Sequence, residues 1–549
     1  MNAKKKIKLI FEDSNDMDVA YGTTVREIMK SLNNPNIIGL RINGSIVPAD
    51  YQLTEDAYVN YIPIGDRTGE KIYFKGLEYV YISAVKEILG KKAVVKIKHS
   101  LDKGIYTEIS CNKRIDSGDI DRIKKKMKEI CDKDYEIKSV NVSRENAFEY
   151  VNSFDESEKA LNYTYMTNDS VTMYELNGEY NYFFFIMPPS TKILKRFELT
   201  FLAPNGVLLQ YPVDNAIPKY NPTPQVLKAF QSLEKKLIAL DVKYVGDLNK
   251  VIVENKISEF IEMSEILYDQ NLENIALKIF NNRKIKSIFI SGPSSSGKTT
   301  TSKKLALYLK SFGLDTLVLS TDDYFVERED SPRKEDGSYE FEIVDAIDVK
   351  LFSKQIKALL DGEEIVPPTY NFLTGKKEYK SKPIKLNKNQ ILIVEGLHAI
   401  SEKLNGVIDK KNKLRLYISP FMPISLDRHN HIQTTDLRLL RRMVRDYNHR
   451  GYSAEATLTN WMGMRASEKK YIYPYQREAD IVINTALGYE IGVLKTYAEP
   501  LLYSINKDSE YYEEAIRILN FLKIFINIPS ELVPNKSVLR EFIGGSYFE

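Results

Sequence analysis

The stretch GPSSSGKTT places Gly292, Pro293, Ser294, Ser295, Ser296, Gly297, Lys298, Thr299 and Thr300 in the order G-x-x-x-x-G-K-[ST]. Such a turn aims its backbone N–H groups inward as a cradle for phosphate oxygens, and the helix that follows adds the positive end of its dipole. In that arrangement Lys298 reaches the β- and γ-phosphates while the Thr299 hydroxyl ligates Mg²⁺. The serines are short enough to leave room for phosphate beside the backbone. The chemistry expected is the handling of a nucleoside triphosphate together with Mg²⁺. A cradle alone does not separate a GTPase, a motor and a kinase.

Three later segments narrow the choice. LVLSTDDYF is an apolar strand that ends at Ser320 and Thr321 and runs into Asp322 and Asp323. A carboxylate at the carboxyl end of a neighbouring parallel strand stands beside the cradle. From there it can accept the proton of an incoming hydroxyl. QILIVEGLHAI reads as a buried strand ending at Glu395, a second acid suited to Mg²⁺. Thr299, Glu395 and Asp322 are the candidate metal ligands. TTDLRLLRRMVRDYNHRG is a basic helix carrying Arg438, Arg441, Arg442 and Arg445, followed by Arg450. Arg438, Arg442 and Arg445 recur at spacings that share one face, as in a lid that folds onto transferring phosphate.

These groups need a parallel sheet to hold them, and the chain is long enough to build one beside other domains. It has 549 residues, 43% hydrophobic and 28% charged, with a net charge of +3. That balance excludes a chain built mainly to coat nucleic acid. The two cysteines, Cys111 and Cys131, have no metal-ligand spacing and read as reduced thiols. No apolar run reaches the ~20 residues of a membrane span, and a cytoplasmic location is expected. The fold class expected is multidomain α/β and α+β. Residues 1–66 read as a small β-grasp module, with the strand KIKLIF, the capped helix TTVREIMKSL and later strands. Residues 67–215 read as an α+β domain, 216–282 as a helical connector after the proline-containing DNAIPKYNPTPQ, and 283–549 as the phosphate-handling domain with C-terminal helices. His99, within strand-like VKIKHS, reads as structural.

The set GPSSSGKTT, STDDYF, FEIVDAID, VPPTYNFLTG, IVEG, RRMVRDYNHRG and EADIVIN, in that order, resembles the uridine kinase/phosphoribulokinase family of P-loop kinases. The front segment resembles the TGS domain. The next resembles the editing domain of threonyl-tRNA synthetases, whose paired His and Cys/His positions are here Lys75 and Tyr79, then Phe183 and Met187. None of those four can replace imidazole or thiolate in metal binding, so editing chemistry is not expected.

The kinase resemblance implies that Asp322 is the base for a nucleoside 5′-hydroxyl, with Lys298, Arg442 and Arg445 beside it as catalytic groups. It implies that Phe341, Glu342, Tyr370, Phe372, Arg442, Arg445 and Arg450 bind the acceptor. Three departures bear on specificity. Glu342 stands for the aspartate that grips the ribose, Gly375 for the histidine that reads a pyrimidine edge, and Tyr452 for an arginine near the base. A base preference other than uridine and cytidine, or a broad one, is expected.

The reading is therefore an ATP-dependent nucleoside kinase acting on a small-molecule nucleoside. Two alternatives stay open: an RNA- or ribosome-associated regulator with a nucleotide-sensing kinase-like domain, and a sugar-phosphate kinase. RNA contact through the front half and homo-oligomerisation are likewise left open. A GTPase reading lacks its N-K-x-D motif.

Overall fold

Ser287–Ser291 is buried along its whole length, as the central strand of a sheet covered on both faces must be. The computed structural model describes residues 6–13, 16–101, 104–213, 216–334, 337–371, 374–379 and 382–548. In it this strand, β1, lies in the middle of a five-stranded parallel sheet. The others are β2 (Asp315–Ser320), β3 (Gln390–Glu395), β4 (Lys413–Ser419) and β5 (Ile481–Asn484), in spatial order β2-β3-β1-β4-β5. From β1 the chain crosses over β3 to reach β2, and later passes from β3 to β4 on the other side. The carboxyl end of β1 is thus where successive connections diverge, the place a parallel sheet opens a crevice for ligands. Helix α1 (Lys298–Ser311) follows β1. Helices α2 (Thr434–Arg450) and α3 (Ala454–Tyr471) come after β4, then α4 (Glu490–Tyr503), α5 (Tyr512–Leu522) and the short α6 (Arg540–Ile543). Tyr324, Phe352, Leu392 and Val394 are among the fully buried side chains of one core cluster beside this sheet.

Two compact units divide the chain. One comprises residues 223–243, 248–424 and 433–549 and holds this sheet. The other comprises residues 1–222, 244–247 and 425–432. The second unit contains a five-stranded sheet from residues 6–63 packed with a helix over Val25–Leu32, then a three-stranded and a four-stranded antiparallel sheet. Thr24 caps that first helix in a reciprocal box with Glu27, as the run TTVRE leads one to expect. The long helix Arg67–Leu89 contributes Ile72, Leu77, Tyr81 and Val85 to the main core of this unit.

Ser425–Ile432 leaves the parallel sheet after β4 and belongs to this second unit. There His429 Nδ1 lies 2.9 Å from Lys159 Nζ, and the Ile97 amide donates to Arg428 O at 2.8 Å. His99 is half-buried in its strand with its ring 5.2 Å from that of Tyr106, and desolvation of the ring pushes its pKa well below the usual imidazole range. No helix among the described residues is long and apolar enough to cross a membrane.

Candidate active site

The cradle is built by the turn between β1 and α1. Ser295 (φ +58°) and Gly297 (φ +84°) take the left-handed conformation that turns successive N–H groups to one side. Ser295 and Ser296 are buried, and neither hydroxyl has a hydrogen-bond partner among the described residues. Lys298 Nζ arches back to 3.3 Å from Pro293 O, and Thr299 stands exposed in the first turn of α1. Ser294 is held from several sides. Its N–H donates to Glu468 Oε1 at 2.9 Å, its carbonyl accepts from Arg438 Nε at 2.9 Å, and its hydroxyl accepts from Arg442 Nη1 at 3.1 Å.

The two acids meet because β2 and β3 are neighbours in register, Ser320 opposite Glu395. Gly396 lets them close up: a Cβ there would lie 1.7 Å from Thr321 Oγ1. Burial raises the Asp322 carboxyl, with Lys298 and then Arg450 opposing. Burial and the neighbouring Asp322 charge push Glu395 up to about 7, against Lys298. Glu342 faces the same group of charges. Burial and Glu468 raise it to about 7, while Arg442 and Lys298 pull it down. Its Oε2 is buried without a hydrogen-bond partner among the described residues. The Glu342 carbonyl lies 2.9 Å from His398 Nε2, which therefore carries the ring proton. His398 Nδ1 is 3.3 Å from the Tyr475 hydroxyl, and burial drops its pKa to about 4.

The basic helix sorts its arginines by depth. Arg441 is fully buried and pairs through two nitrogens with Glu490. Arg438 is fully buried against Glu468 and under the Trp461 ring. Arg442, Arg445 and Arg450 converge on one buried carboxylate, Asp446, at 3.1, 3.0 and 3.4 Å. Arg442 and Arg445 are partly buried and Arg450 is half exposed.

Tyr370 is buried, with its ring centroid 5.5 Å from Phe325, which in turn meets the exposed Phe341 edge-on at 6.3 Å. Phe372 lies outside the described residues. Gly375 has φ +71°, and a Cβ there would lie 2.6 Å from Arg328 Cβ. No side chain fits. Arg328 takes that space: its N–H donates to Gly375 O at 2.8 Å, and its guanidinium hydrogen-bonds Tyr370. Tyr452 is exposed.

Lys298 and Asp322 thus lie within electrostatic reach of both Glu395 and Glu342, and Arg442 within reach of Glu342. Arg328, His398, Asp446 and Glu468 also stand around these groups, though no motif in the sequence singles them out. Asp446 was visible four residues after Arg442 on the same helix face, and His398 three after Glu395. Arg328 and Glu468 come from distant segments and gave no local signal.

A parallel sheet flanked by helices, with a phosphate cradle after its central strand, defines a P-loop kinase fold. Residues 287–488 match the family described as Phosphoribulokinase / Uridine kinase family. A uridine kinase of Borrelia duttonii is 32% identical over 208 residues, 36% of this chain and 86% of its own length. One from Ligilactobacillus salivarius is 28% identical over 206 residues, 37% of this chain and 87% of that protein. A threonine–tRNA ligase of Desulforamulus reducens is 28% identical over 178 residues, 32% of this chain and 28% of the ligase. The chain belongs to the phosphoribulokinase/uridine kinase family.

Proposed function

We propose that the chain is an ATP- and Mg²⁺-dependent nucleoside kinase that phosphorylates a 5′-hydroxyl. One observation carries this reading: β2 and β3 end in register, Ser320 opposite Glu395, so that Asp322 follows at the carboxyl edge of the sheet, where Lys298 opposes the rise that burial imposes on its carboxyl. A hydroxyl entering there can give its proton to Asp322, whose raised affinity for protons suits it to act as a base. Lys298, Arg442 and Arg445 offset charge on the phosphoryl group as it moves. Glu342 accepts hydrogen bonds from sugar hydroxyls through the oxygen that has no partner among the described residues.

The residues present fit Mg²⁺. Thr299 and Glu395 offer hydroxyl and carboxylate oxygens, the hard ligands that ion takes beside phosphates. Bound there, Mg²⁺ would neutralise phosphate charge. The Ser295 and Ser296 hydroxyls, without a partner among the described residues, fit the triphosphate in the same sense.

For the acceptor, Arg328 takes the place of the histidine for which Gly375 stands. A guanidinium donates only, so it favours a base that presents acceptor atoms at that edge. Release of ADP measured across nucleosides and sugar phosphates tests the proposal. Turnover with nucleosides is expected, and turnover only with sugar phosphates overturns it.

In the front unit we read a TGS-like module and a synthetase-like domain without editing activity. At the positions that would carry it, Lys75 pairs with Glu78 at 2.7 Å, and Tyr79 is buried against Phe183 with ring centroids 5.2 Å apart. Hydrolysis of mischarged tRNA by the full chain would refute this.

A further inference from the structure

The segment SVLREFIGGSYF spans residues 537–548. In the fold it lies on the phosphate cradle. Glu541 Oε2 accepts the Thr300 N–H at 3.1 Å and the Thr300 hydroxyl at 2.7 Å. The first backbone bond inside α1 runs from Thr301 N–H to Gly297 O at 3.0 Å. The N–H groups of Lys298, Thr299 and Thr300 therefore have no partner within the helix, and these are donors a P-loop gives to the α- and β-phosphates. Glu541 holds one of them with an anionic oxygen of the same kind.

The segment around it is seated, not merely near. Gly297 leaves so little space that a Cβ there would lie 2.5 Å from Val538 Cγ2. The Arg441 guanidinium sits 4.9 Å over the Phe542 ring, and Asn448 Nδ2 donates to Phe542 O at 3.3 Å. Lys303 Nζ, one turn along α1, donates to Phe548 O at 2.6 Å. Thr300 is buried, whereas Thr299 beside it is exposed. Glu541 is also among the charges that raise Glu395.

We propose that the Glu541 carboxylate stands in for a donor phosphate oxygen, so that a seated C-terminal segment and a bound nucleotide polyphosphate exclude each other. This rests on the reading of the turn as a nucleotide cradle. The segment is then a built-in competitor: nucleotide must lift it, and anything that pins it lowers nucleotide affinity.

The sign of one effect separates this from a supporting role. If Glu541 only braced the loop, removing it would weaken binding. If it competes, removal strengthens binding. A segment seated for about 70–90% of the time weakens apparent affinity about three- to tenfold. Calorimetric titration of ADP into the full chain should therefore show Glu541→Ala binding tighter by that factor, with Glu541→Gln in between. Equal or weaker binding by Glu541→Ala overturns the proposal. Hydrogen exchange on the wild-type chain needs no variant. ADP should speed exchange of amides in residues 537–548, and unchanged or slower exchange overturns the proposal. Lys298→Ala serves as the control for the cradle itself. If wild type binds ADP and Lys298→Ala does not, the cradle reading stands whatever Glu541 does; if wild type binds no ADP, both fall.

Discussion

Arg438 and Glu468 form a fully buried ion pair that holds Ser294 of the cradle by its carbonyl and its amide together. A charge left alone there has no water to turn to. Breaking a buried pair from one side costs ~3–5 kcal/mol, so Glu468→Ala should lower the melting temperature by many degrees. Replacing both, as Arg438→Met with Glu468→Leu, should recover most of that stability but not ADP affinity, because the grip on Ser294 is gone. Thermal melts paired with ADP titrations check this. Equal affinity in the double variant and the wild type would show that the pair serves folding only.

Asp322→Asn keeps the shape and removes the proton acceptor. Turnover should fall by ~10²–10⁴, with ADP affinity nearly unchanged. Weakened ADP binding at normal turnover would place the base elsewhere.

Glu395 supplies a test by pH. Its folded pKa lies above the ordinary value of 4.5, so the fold binds a proton that the unfolded chain has already released. The ionised form costs stability, and that cost grows as pH rises from about 4.5 towards about 7, then levels. Glu395→Gln should therefore gain stability over wild type, more at pH 8 than at pH 5, when melted without Mg²⁺. A gain independent of pH would mean that Glu395 is already ionised throughout. Activity should show the opposite trend, rising with pH as Asp322 and Glu395 lose their protons.

Arg328→Ala should alter which nucleosides are used more than how fast the best one turns over. We expect ratios of kcat/KM between bases to change by about 10-fold or more, the scale of one lost polar contact to substrate. An unchanged ranking would remove Arg328 from the acceptor pocket.

The cradle was legible because its chemistry is contiguous: every group from Gly292 to Thr300 lies in one loop and the first turn of α1. Asp322 and Glu395 were legible because parallel strands deliver their carboxyl ends to one edge, so a carboxylate just past an apolar run has a known destination. The buried ion pair was not legible. Arg438 shares a helical stripe with Arg442 and Arg445, and periodicity cannot tell a solvent-facing arginine from one that pairs with Glu468 on another helix. The loss of a side chain at Gly375 could be read locally. Its replacement by Arg328 depends on how two loops pack, and no spacing in the sequence encodes that.

Ser425–Ile432 sits between β4 and the arginine helix of one unit, yet belongs to the other. Its Asp427 and His429 are buried there beside Lys159 and Asn181. A ribosome making this protein must therefore emit more than three quarters of the chain before the front unit has all its parts. Expressed alone, residues 1–222 would carry an ammonium at Lys159 stripped of the His429 contact. The two units share one assembly order, and a gene cut at the apparent boundary would yield neither half whole.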